Sequence, residues 1–172
     1  IKPVVGVDFR NSAQQQYVAL AKNNKGFQAI NEHLSEYSKN NTPFPNKCPL
    51  QKDVWVIYPF KSIFSKEVDH AQFTTCLEAH EFIGVSPDDL NKIIPSEWRW
   101  HTYKMLAMPT GSFRNKRDFN AHRLLRAIAK NVLLSKLPKG EEGSPSDLFR
   151  TRDELEACYS SFPSLLEQAE TI

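Results

Sequence analysis

The longest uninterrupted apolar run in this chain is Val54-Trp55-Val56-Ile57-Tyr58-Pro59-Phe60. A bilayer-spanning helix needs about 18 to 20 consecutive apolar residues, so no segment here is long enough to cross as a helix. A β-branched and aromatic run of this length has the size of one strand. The remaining core must come from short amphipathic pieces, punctuated by eleven prolines and six glycines. With 172 residues, 40% hydrophobic and 24% charged, there is material for one globular domain.

The spacing predicts a mainly α fold: about seven helices with a minimal two-strand β element, in a single compact domain. The strands are expected at 4–9 and 54–60, paired with each other. Asn11-Ser12 offers a cap for a helix through Tyr17, Val18, Ala19, Leu20 and Ala21. Phe27, Ile30, Leu34 and Tyr37 mark a second helix. A third runs from a Ser65 cap through Val68, Cys76, Leu77, His80 and Ile83 to Gly84. Ser86-Pro87-Asp88-Asp89 opens a short one that Pro95 stops. Ser96 caps a helix carrying Trp98, Trp100, Tyr103 and Leu106. The longest is expected over 116–136, and Thr151 with Glu154 forms a capping box before a terminal helix that opens at Pro163. Residues 1–140 would form the helical core domain. Residues 141–172 would be an acidic helical segment packed on it or appended to it.

Three cysteines, Cys48, Cys76 and Cys158, are too few and too scattered for a disulfide framework and read as reduced thiols of an intracellular protein. The chain begins at Ile1 with no signal-type apolar stretch behind it, which reads as a domain of a larger protein.

Charge is laid out unevenly. Residues 1–90 carry nine Lys/Arg against ten Asp/Glu, residues 91–139 eleven against two, and residues 140–172 two against eight. The middle segment is thus +9 and the last −6, a layout that points to a polyanionic partner. At about 100° per residue, Lys116, Arg123 and Lys130 form one stripe with Arg126 beside them. Ala121, Leu124, Leu125, Ile128 and Val132 fall on the opposite side, which predicts that they face the core. Phe119 lands among the basic residues, and Arg114 and Arg117 join them from the preceding turn. Guanidinium groups beside an aromatic ring suit phosphate contact and base stacking. An ordinary solvated helix face, or internal pairing with the acidic C-terminal segment, explains the same charges.

Other constellations carry less. Cys76, His80 and Asp69 would share a helical face with His70 nearby, but no second ligand pair exists, so no metal is expected. Asp88, Glu97 and Lys104 lack the close acid–lysine spacing of a magnesium nuclease, and Asp8 after Val5-Gly6-Val7 is a single strand-end acid. His101 and His122 lie in the basic segment. No glycine-rich phosphate loop, GxSxG or HExxH occurs, so neither a catalytic residue nor a cofactor is assigned. The expected function is a non-catalytic nucleic-acid-binding domain of a larger intracellular protein. It would contact DNA or RNA through Arg114, Lys116, Arg117, Phe119, Arg123, Arg126 and Lys130, without membrane association. The alternative is a helical adaptor or oligomerisation module that docks an acidic protein partner.

Overall fold

A computed structural model describes residues 3–12, 14–50, 52–64 and 76–172. The fold is α+β, built on a five-stranded mixed sheet, which corrects the expectation of a mainly α chain with two strands. The strands are β1 (Gly6–Asn11), β2 (Gln14–Ala21), β3 (Val54–Pro59), β4 (Glu81–Val85) and β5 (Met105–Ala107), in spatial order β1-β2-β3-β4-β5. The β1–β2 and β2–β3 pairs are antiparallel, while the β3–β4 and β4–β5 pairs are parallel. The helices among the described residues are α1 (Asn24–Asn40), α2 (Phe60–Phe64), α3 (Leu90–Ile93), α4 (Lys116–Ala129), α5 (Lys139–Glu142), α6 (Arg152–Cys158) and α7 (Ser164–Glu170).

Three expected helical stretches are strands or turns instead. Tyr17 to Ala21 lies in β2, where Tyr17 and Ala19 are buried while Val18 and Leu20 are half-buried. The alternation is that of a strand, but every residue is apolar, so periodicity could not reveal it. Glu81–Val85 is β4, held in parallel register with Val56 opposite Glu81 and Tyr58 opposite Ile83. Ser65, Val68, Asp69 and His70 lie outside the described residues. Trp98 and Trp100 sit in a 3₁₀ turn, Glu97–Trp100, followed by another at Thr102–Lys104 and then β5. The two expected strands exist but do not pair with each other, because β2 stands between β1 and β3.

The chain divides into two units, one of residues 1–108 with 162–172 and one of residues 109–161. In the first, the sheet row Ala19–Val56–Glu81 and the row Tyr58–Ile83–Met105 are buried on one face. Helix α1 lies on this unit's antiparallel strands. Asn23 caps it by accepting from the N–H groups of Lys25 (2.9 Å) and Gly26 (3.0 Å), and Asn23 Nδ2 donates to Asp53 at 2.8 Å. Its buried positions Gly26, Ile30 and His33 face the sheet, whereas Phe27 is exposed. His33 joins an aromatic cluster with Phe9, Tyr17, Tyr37 and Phe44, ring centroids 4.7 to 6.2 Å apart where they touch it. Leu165 of α7 is fully buried, and α7 packs on β5.

The second unit is small. Phe113, Phe119, Ala127 and Leu137 are its buried apolar residues before α6, and Phe113 bridges Leu148 in parallel fashion. Thr151 and Glu154 form the expected capping box of α6. Helix α4 ends earlier than the expected residue 136. Asn131 takes a left-handed conformation (φ 52°), and Val132 N–H donates back to the Ala127 carbonyl, so the backbone turns off there.

Candidate interaction surface

Helix α4 is capped by Asn115, whose side chain accepts from the N–H groups of Arg117 (2.9 Å) and Asp118 (3.1 Å). Arg114 pairs with Asp118 at 2.9 Å, which holds that carboxyl below its usual range. The basic stripe forms, and it points toward α5. Arg123 pairs with Glu142 at 3.0 Å, Arg126 pairs with Glu141, and Lys130 reaches Glu141 at 3.2 Å. Hydrogen bonds from Arg126 and Lys130 lower the Glu141 pKa. Phe119 is 7% exposed, meets Phe113 edge-on at 5.4 Å, and lies 5.7 Å under the Arg123 guanidinium. His122 packs on Phe113 at 5.3 Å.

Of the seven residues expected to contact nucleic acid, then, Arg123, Arg126 and Lys130 are engaged with the chain's own carboxylates. Phe119 is in the core, while Arg114, Lys116 and Arg117 are exposed at the start of the helix.

The opposite side is the reverse of its expectation. Ala121, Leu124, Leu125, Ile128 and Val132 face outward; Leu125 is 65% and Ile128 66% exposed. Leu133 and Leu134 extend the same surface beyond the helix end and are exposed too. The cause is that the buried side of α4 is marked by one aromatic and one alanine plus ion pairs. Helical periodicity counts apolar residues and takes the richer side for the core. Arg117 precedes this apolar face on the same side of the helix, and Lys136 and Lys139 follow it, all three exposed.

The remaining candidates are placed as follows. Cys76 is exposed, and His80 Nε2 donates to the Leu50 carbonyl at 3.1 Å with Nδ1 3.6 Å from Glu78, so His80 already has structural partners. Among the described residues no group of three or more His, Cys, Asp or Glu is arranged to hold a metal ion. Lys104 Nζ donates to backbone carbonyls of Glu78 and Glu81 rather than standing beside an acidic pair. Trp98 is buried and Trp100 exposed under the Arg99 guanidinium at 4.7 Å. Among the described residues no helix is long and apolar enough to cross a membrane. Comparison with known protein families, with characterised proteins and with solved structures found no match.

Proposed function

We propose that this chain is a protein-interaction domain whose α4 helix docks its apolar face into an acid-rimmed apolar groove of a partner protein. The observation that carries the reading is the outward apolar face Leu124, Leu125, Ile128, Val132, Leu133 and Leu134. Contiguous exposed apolar surface of this kind marks binding sites far more than it marks idle surface. An amphipathic helix read at i, i+4 and i+8 is a recurrent way to fill a groove.

Charge selects the kind of partner. Arg117 stands at one end of the face and Lys136 with Lys139 at the other, and the unit carries ten Lys/Arg against seven Asp/Glu. Two copies of the chain pairing these faces antiparallel would set Arg117 against Lys136 and Lys139. A parallel pairing would set like ends together, so self-association is opposed and an acidic rim is favoured.

The test places a photo-crosslinking residue at position 128, and at exposed Asn120 as control, in the chain inside its own cells. The expected adduct forms from position 128 only. It disappears with Lys136→Glu plus Lys139→Glu, and it maps to an acidic-rimmed apolar surface. An adduct of twice the chain's mass, or none sensitive to those charges, refutes the proposal. Nucleic-acid binding is the second reading, favoured by Arg114, Lys116 and Arg117 exposed together where α4 begins. Anisotropy of labelled single-stranded and duplex oligonucleotides at two salt concentrations decides it. Affinity that falls steeply with salt and is lost in Arg114→Glu plus Arg117→Glu would put it first.

A further inference from the structure

The first unit contains a cavity of about 230 Å³ between β2, β3, α2 and the start of β4. It opens to solvent past Lys47 and Cys76, both exposed, and its volume exceeds the roughly 150 Å³ that already holds a benzene-sized ligand. Ile63 and Leu77 supply apolar wall, and polar side chains line the cavity from several elements, Gln16 of β2 and Glu81 of β4 among them. Glu81 lines the cavity while only 1% exposed. Its Oε1 accepts from the Tyr58 hydroxyl at 2.8 Å and its Oε2 from the Glu78 N–H at 2.9 Å. Among the described residues no Lys or Arg side chain pairs with this carboxylate; Lys104 reaches only the Glu81 backbone carbonyl, at 3.4 Å. A carboxylate can accept about four hydrogen bonds, so two donors leave acceptor capacity unused. A buried anion held by neutral donors alone is costly, and a cation delivered to it gains more than it would at a surface. Lys47 also lines the cavity and is itself exposed.

We propose that this cavity is a binding site for a small primary amine, its ammonium on Glu81 and its apolar body against Ile63 and Leu77. Gln16, buried and lining the same cavity from β2, supplies a further polar contact for the ligand. The site is independent of the α4 surface, and either can fail without the other.

Benzylamine and benzyl alcohol share one apolar body and differ in charge, so titrating each into the intact chain isolates the carboxylate. Two readouts apply: NMR shifts of Tyr58 and Leu77, and the rate at which a maleimide alkylates Cys76. That thiol lines the cavity and is exposed, and exposed Cys158 serves as internal control. Millimolar benzylamine is expected to shift both resonances and slow Cys76 several-fold without slowing Cys158. Benzyl alcohol should bind about tenfold more weakly, the loss of one charge-assisted contact. Glu81→Gln should abolish that preference. Equal binding of the two probes, binding of neither, or a preference surviving Glu81→Gln overturns the site. Should Glu81→Gln not fold, the amine-to-alcohol ratio on the unaltered chain decides alone.

Discussion

Gly26 and His33 show how single positions of α1 set the fit of helix to sheet. A Cβ at Gly26 would run into the backbone carbonyl of Asp53, which cannot swing away as a side-chain end could. Gly26→Ala should therefore destabilise the chain by about 1 to 3 kcal/mol despite alanine's better helix propensity, read as a lowered Tm. His33 is buried and shares a 2.7 Å hydrogen bond with the Tyr17 hydroxyl. Burial lowers its pKa from the ordinary 6.5 and raises that of Tyr17, so both partners of this hydrogen bond are neutral at neutral pH. The unfolded chain then binds a proton more readily than the folded one. Stability from this residue is full above 6.5 and falls as pH drops below it toward the lowered value. Thermal melts across that range should show the decline, and His33→Gln should flatten it. Cys48, beside Tyr17 and pushed up to about 11 by burial, should stay unreactive toward alkylation at neutral pH while Cys76 and Cys158 react.

At the scale of one element, α4 is the informative case. If its apolar side faced a core, Leu125→Ala or Ile128→Ala would cost about 2 to 5 kcal/mol. The structure predicts changes within about 0.5 kcal/mol for each, because both side chains are already in solvent. Phe119→Ala, on the side that looked solvent-facing, should cost about 3 to 5 kcal/mol in chemical denaturation. A large loss from Leu125→Ala with little from Phe119→Ala would reverse the orientation of the helix. The ion pairs joining α4 to α5 follow the same logic. Glu141 has its pKa lowered by Arg126 and Lys130, so their contribution is present above the ordinary carboxylate range and disappears as acid protonates Glu141.

For the molecule as a whole, the order of the chain and the order of the structure differ at the C-terminus. Residues 162–172 belong with residues 1–108, and Leu165 is buried where α7 packs on β5. Removing residues 162–172 should therefore lower the Tm of the sheet-containing unit and open β5 to hydrogen exchange. An unchanged melt would show that α7 is dispensable. The sequence by itself determined several things. The capping box at Thr151 and the stop near Pro95 are local, since they depend on residues within a few positions of the backbone they act on. The strand at 54–59 was legible because β-branched residues dominate it. The uneven charge was legible because it is composition. Tertiary structure alone decided the rest. Strands β2, β4 and β5 exist through hydrogen bonds to neighbours as much as 39 residues away in sequence, as between Val18 and Ile57, by way of pairings no short window contains. Likewise the outward side of α4 is settled by Glu141 and Glu142 taking its cations. A helix carries two candidate faces, and only the element packed against it chooses which one is buried.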